Sequence, residues 1–396
     1  MIEAVDAQAR GLRSPRRAET VGIAAHARRL DWLLLGATFG LVAYGLWSIA
    51  GITRHDVPGD PHYYVARQAG YALVGLIGLV VALFVDPDVY RRYKRAIYAG
   101  TLGLMAVVLL TGAVTRGSKR WLELGFFKFQ PSEFGKLLFV LFLAGFLAER
   151  TKRVNEPRTV LAAVGFAAIP IGLVFVQPDV GTAMVYTVAL AGVLFIAGTR
   201  WTHLAGLGLA TVLVAVAVLW VLPKAGLPVL KPYQKERLIG FTNPDRDPAG
   251  STYNIRQSIN AVGAGGPYGR GVAHATQTNL NFLPEHRTDF VAASLAEERG
   301  FAGMSLLLLL YLLVVWRALK IVSVARDYFS AIVAGGIALA LLFQVFVNVG
   351  MTIGIAPITG IPLPFFSVGG SSMIANLLAI GVLESIYARG TVRRRR

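Results

Sequence analysis

Three places in the chain put carboxylates where carboxylates are scarce. Glu133 and Lys136 stand three apart in QPSEFGK, at the head of an apolar run, and that spacing sets both on one helix face. Pro131 suits the first turn of that helix. Asp179 follows Pro178 in QPDVGTA and heads another apolar run. Asp289 ends the polar stretch Glu285, His286, Arg287, Thr288 and is followed by apolar sequence, with Glu297, Glu298 and Arg299 further along. An ionisable group at the edge of a membrane span is expensive to place. Each is therefore a candidate for proton transfer or for gripping a charged ligand. Each also has a plain structural reading: an ion pair at a helix end for Glu133 and Lys136, an N-cap for Asp179, and a charge-neutralised helix start for Asp289. Spacing alone leaves both readings open.

Other chemistries drop out quickly. There is no cysteine, so thiolate metal sites, disulfides and a cysteine nucleophile are excluded. The six histidines show no paired metal-ligand spacing. The glycine stretch GAGGPYGRG from Gly263 lacks the GK[ST] ending of a phosphate loop. No GxSxG turn occurs, and no ATP site is visible.

The elements that must position these residues are membrane spans. Of 396 residues, 55% are hydrophobic and 15% charged, against about 25% charged in an average soluble domain. A spanning helix takes about 20 apolar residues, and ten segments approach that: Asp31–Gly51, Arg67–Val85, Ala96–Thr115, Ser132–Ala148, Thr159–Val176, Asp179–Thr199, Thr202–Leu222, Phe290–Trp316, Ser330–Gly350 and Val368–Ala388. The expected fold is an all-α polytopic membrane protein with ten transmembrane helices and a large extracytoplasmic loop, residues 223–289, before the eighth. Short amphipathic helices are expected in that loop near Tyr233–Phe241 and Ile255–Val262. Residues 1–29 read as a basic cytoplasmic tail, 30–389 as the membrane domain and 390–396 as a second basic tail.

Charge sets the orientation. With both termini cytoplasmic, 23 basic residues fall inside and six in the short outer loops. The net charge of +17 is thus mostly a topology signal. It gives no support for nucleic acid. Every candidate carboxylate lies outward, as do Lys119, Arg120 and Arg270, cations suited to lipid phosphate or pyrophosphate and equally suited to simple solvation. An outward enzyme without ATP must draw its driving force from an activated substrate.

The motifs QPSEFGK, QPDVGTA, FTNPDRDPAGSTYNIRQS from Phe241, VGAGGPYGRG from Val262, LPEHRTDF from Leu283 and PLPFFSVGGSSMIAN from Pro362 resemble the SEDS family of cell-wall glycosyltransferases. The likeness runs from about Leu30 to Arg389, and GMTIGIAPITGIPLPF from Gly350 is more similar to the RodA-like elongation branch. It implies a peptidoglycan polymerase of the bacterial cytoplasmic membrane. Such an enzyme joins lipid II into glycan strands, releases undecaprenyl pyrophosphate and works beside a class B penicillin-binding protein. It also implies that Asp289 is the essential outer-loop aspartate and that Glu133, Lys136 and Asp179 shape its cavity. Arg287 stands where the family pattern carries a histidine. On this footing Asp289 is the expected general base, and Lys119, Arg120 and Arg270 are expected phosphate holders. The residues name no cofactor, and a divalent cation, Mg or Mn, would serve the pyrophosphate in place of some of that positive charge. The rival is a flippase that uses Glu133, Lys136 and Asp179 as a polar path. A scaffold that only recruits the cross-linking partner is a third class.

Overall fold

The computed structural model describes residues 29–115, 118–125, 127–227, 229–230, 232–240 and 252–394. The expected amino-terminal tail, the FTNPDRDPAGS stretch and the last two arginines lie outside the described residues.

Helices form at all ten predicted spans: α1 (Trp32–Ile52), α2 (Tyr63–Phe84), then after the short α3 (Pro87–Arg92), α4 (Lys94–Thr111), α5 (Pro131–Ala148), α6 (Pro157–Val176), α7 (Val180–Ile196) and α8 (Trp201–Lys224). The long connection carries α9 (Pro232–Ile239), α10 (Tyr253–Gly265) and α11 (Thr276–Asn279). The last three long helices are α12 (Val291–Val324), α13 (Tyr328–Thr352) and α14 (Gly370–Arg394). Among the described residues nine helices are long and apolar enough to cross a bilayer; α7, with 17 residues, is the tenth apolar one.

Four boundaries depart from expectation by four residues or more: α2 starts at Tyr63 rather than Arg67, α14 runs on to Arg394 rather than Ala388, and two others reshape the chain. The third span stops at Thr111 rather than Thr115, because Gly112 turns to extended backbone (φ −64°, ψ 144°). The chain then forms a three-stranded antiparallel sheet of β1 (Ala113–Thr115), β2 (Ser118–Leu124) and β3 (Phe127–Phe129). The nearly all-helical molecule therefore carries one small sheet, and that sheet leads straight into α5. The other is α12, which runs on to Val324 and is bent at Gly300, where φ is +64°. A positive φ of this kind is one that glycine adopts without strain.

Packing separates a core from a rim. α5, α13 and α14 are buried along most of their length, whereas α8 contributes no buried residue. The α2–α14 seam is close because it is made of small residues. A Cβ at Gly381 would sit 2.4 Å from the Leu79 carbonyl oxygen, and one at Gly75 would sit 2.5 Å from Leu377. Such small-residue seams let helix backbones approach where lipid offers no hydrophobic drive to association.

The basic loops gather at one end of the bundle. There Arg317 donates to Asp31 (Nε to Oδ2, 2.8 Å), the Asp31 amide donates to Glu384 (2.9 Å), and Asp31 caps α1 by accepting from the Leu34 amide. Lys94 pairs with Glu149, Arg326 with Asp88 and Arg389 with Asp86. The candidate carboxylates lie at the opposite end.

Candidate functional site

Pro131 occupies the first turn of α5, and β3 delivers the chain to it. Ser371, at the start of α14, accepts from the Gln130 amide (2.9 Å) and donates to the Lys128 carbonyl (3.1 Å), which fixes that junction. One turn in, Glu133 and Lys136 are both buried. The Lys136 ammonium donates to Glu133 Oε2 and to Gln344 Oε1 of α13, each at 2.8 Å. The spacing of three thus makes an ion pair, and the pair is also tied to a second helix.

Asp179 is the N-cap of α7 and accepts from the Thr182 amide at 3.1 Å. Capping uses one carboxylate oxygen. The other accepts from Gln130 Nε2 (3.3 Å) and lies 3.5 Å from Arg120 Nη1, while Arg120 Nη2 donates to the Pro178 carbonyl (2.7 Å). The plain reading and the functional one therefore hold together: Asp179 caps a helix and anchors a cation on the sheet.

Asp289 stands at the end of a tight turn just before α12. The Thr288 and Phe290 amides both donate to the Glu285 carbonyl at 3.1 Å. A loop between α13 and α14 closes over it, and a Cβ at Gly360 would lie 3.4 Å from Asp289 Oδ2. Gly360 has φ +72°, so a side chain there would be strained as well as crowded.

These groups face one cavity of about 760 Å³, bounded by the sheet, the starts of α5, α7 and α14, the long connection and the loop after α13. Glu133, Asp179, Glu285 and Asp289 line it, together with Arg120, Lys128 and Arg237. Hydroxyls from Thr182, Thr288, Ser371 and Ser372 complete the wall. A cavity that mixes carboxylates, guanidinium groups and hydroxyls suits a sugar bearing phosphate, with acids to move protons and cations to hold the anion. Lys136 sits behind Glu133 and does not itself line the space.

Of the two expected phosphate holders whose side chains are described, Arg120 is brought to the cavity and Arg270 is not. Arg270 is absent from its walls: its guanidinium donates to the Ala264 carbonyl (3.1 Å) and meets Thr276 Oγ1 (3.4 Å), bracing the glycine-rich loop. The Lys119 side chain lies outside the described residues. The donor set also bears on a divalent cation. Among the described residues no three His, Asp or Glu side chains converge as metal ligands, and Glu133 and Asp179 already accept from Lys136, Arg120 and Gln130. The described residues do not build a metal cage.

Sequence reasoning passed over Gln344 and Asn348. Asn348 Nδ2 donates to both the Asp289 carbonyl (2.9 Å) and the Ile361 carbonyl (2.8 Å), joining the carboxylate's turn to the loop above it. Two amides one helical turn apart in an apolar span were the readable signal.

Fold and site define a multispanning membrane protein with a polar cavity, walled by acids and bases, at one end of the bundle. The chain belongs to the FtsW, RodA and SpoVE family, described as cell cycle protein, whose model matches residues 28–391. It is 37% identical over 361 residues to peptidoglycan glycosyltransferase MrdB of Escherichia coli K12, covering 90% of this chain and 94% of that one. It is 36% identical to stage V sporulation protein E of Bacillus subtilis, covering 91% and 98%. Among solved structures, a chain of a peptidoglycan synthase complex that coordinates polymerization and crosslinking superposes with TM-score 0.77 at 30% identity, covering 91% and 98%. The rod shape determining protein RodA of Thermus thermophilus superposes with TM-score 0.68 at 26% identity, covering 90% and 96%.

Proposed function

We propose that this chain is a peptidoglycan glycosyltransferase of the bacterial cytoplasmic membrane, polymerising lipid II into glycan strands beside a class B penicillin-binding protein that cross-links them. The observation that carries the reading is the shared cavity, which holds Asp289 and Arg120 within the fold of named peptidoglycan glycosyltransferases.

The acceptor sugar hydroxyl attacks the anomeric carbon of the donor, and its proton passes to the Asp289 carboxylate. The bond from that carbon to the pyrophosphate breaks, and undecaprenyl pyrophosphate leaves with the bonding electrons. Positive charge held near the departing pyrophosphate stabilises it as it forms. Arg120 is suited to that task because Asp179 and the Pro178 carbonyl fix its guanidinium at the cavity wall. Glu133, paired with Lys136 behind it, adds a buried acid to the cavity wall at the start of α5.

Purified chain, with its transpeptidase partner, is to be incubated with labelled lipid II beside Asp289→Asn. Wild type should make polymer, and the variant should lose at least a hundredfold in rate, the scale of general base catalysis, while still binding its partner. Polymer from Asp289→Asn at the wild-type rate would remove Asp289 from the chemistry. Movement of lipid II across a bilayer by a wild type that makes no polymer would replace the polymerase with a flippase.

A further inference from the structure

The turn that carries Asp289 has two faces. Glu285, Thr288 and Asp289 line the cavity, whereas His286 and Arg287, between them, do not. These two reach instead to Asp56, in the connection between α1 and α2. Asp56 accepts from His286 Nε2 (2.9 and 3.1 Å to its two oxygens) and from Arg287 Nη1 (2.8 Å). Its side chain is 5% exposed. On the far side of the imidazole, His286 Nδ1 meets the Leu283 carbonyl at 3.2 Å, and the Arg287 guanidinium lies over the Tyr64 ring at 4.5 Å.

We propose that Asp56 is a positioning residue of the reaction, clamping His286 and Arg287 on the far face of the turn so that Asp289, and not the Arg287 cation, is aimed into the cavity. The inference rests on the polymerase reading with Asp289 as base.

Two observations support it. The backbone of the turn is tied carbonyl by carbonyl: His286 O accepts from Ser294 Oγ (3.2 Å), Arg287 O from the Val368 amide (2.9 Å), Thr288 O from Ser367 Oγ (2.6 Å) and Asp289 O from Asn348 Nδ2 (2.9 Å). These ties fix the main chain but leave the side chains of His286 and Arg287 to be placed by what they meet, and both meet Asp56. The second observation is electrostatic. Arg287 is two residues from Glu285 and two from Asp289, so a guanidinium released from Asp56 has both cavity carboxylates on its own turn. Pairing with them would make Asp289 a poorer base. Asp56 is suited to prevent this: burial pushes its carboxyl up, but the donors and charges of His286 and Arg287 outweigh that and hold it below its ordinary value. It keeps its charge, and so its grip.

The experiment compares wild type, Asp56→Asn and Asp56→Glu, each with its transpeptidase partner. Initial rates of labelled lipid II consumption are measured across lipid II concentrations, and backbone amide exchange is followed by mass spectrometry. Asp56→Asn should lower kcat at least tenfold, leave KM within twofold, and speed exchange in peptides covering 285–290 but not in those covering α5 or α14. Asp56→Glu, which keeps the carboxylate, should recover at least a third of the rate. A wild-type kcat in Asp56→Asn overturns the proposal. So does a joint failure of kcat and KM with exchange raised throughout the molecule. If Asp56→Asn does not fold, Arg287→Gln removes one arm and leaves His286 on Asp56. A threefold or greater fall in kcat at unchanged KM then supports the clamp, and an unchanged kcat removes it. A wild type that makes no polymer sinks the polymerase reading, while exchange at 285–290 separately decides whether the clamp exists.

Discussion

Lys136 is buried inside a helix, yet its ammonium has an anionic and a neutral acceptor, both at 2.8 Å. Burial makes such a pair asymmetric. Forming it gains little net energy, but removing one member strands the other charge, at a cost of about 3–5 kcal/mol. Lys136→Met should therefore lower the unfolding midpoint in detergent sharply and reduce polymer formation. The double change Glu133→Gln with Lys136→Met should regain much of the midpoint, because neither charge is then left alone. An unshifted midpoint in Lys136→Met would mean that the pair is hydrated and structurally idle. Neither outcome alters the reading of Asp289, whose carboxylate belongs to a different element.

At the scale of elements, the α2–α14 seam and the peripheral α8 make opposite demands on glycine. Gly381→Leu has to displace the Leu79 carbonyl, and overpacking of this kind costs about 1–3 kcal/mol or more. A Cβ at Gly206 on α8 would meet nothing within 4 Å, so Gly206→Leu should change stability by no more than about 0.5 kcal/mol. Equal unfolding midpoints for the two variants would show that the seam does not hold the bundle. This contrast was not legible in the sequence, because lipid and protein interior both select apolar residues and both helices read alike. Span existence was legible for the same reason, through length and hydropathy. The sheet was hidden: two of its strands have three residues, too few to show an alternation. The candidate carboxylates stood out because charge is rare at the ends of apolar runs, so Glu133, Asp179 and Asp289 were all marked and all reach one cavity. Arg270 was marked for its charge and its side of the membrane, which say nothing of direction; its guanidinium turns to the Ala264 carbonyl at the end of α10 instead. Asp56 carried no signal, since an acid in a short polar connection looks like any solvated charge.

For the whole molecule, the two ends of the bundle differ in kind. One gathers Arg317, Lys94, Arg326 and Arg389 on acidic partners, with further arginines in the same loops; the other holds the acid-rich cavity. Basic loops stay in the cytoplasm during insertion, so the asymmetry predicts that the cavity opens on the outer face, where an undecaprenyl-linked sugar would be met. The absence of native cysteine makes this directly measurable. His62→Cys, exposed in the connection between α1 and α2, should react with a membrane-impermeant maleimide added to intact spheroplasts. Lys152→Cys, exposed between α5 and α6, should react only after the membrane is opened. The reverse pattern would turn the molecule over, put Asp289 in the cytoplasm and leave the charge asymmetry without its explanation. Labelling of both sites in intact cells would mean that the probe had leaked, and a third cysteine at Arg92, on the Lys152 side, would expose the leak in the same experiment.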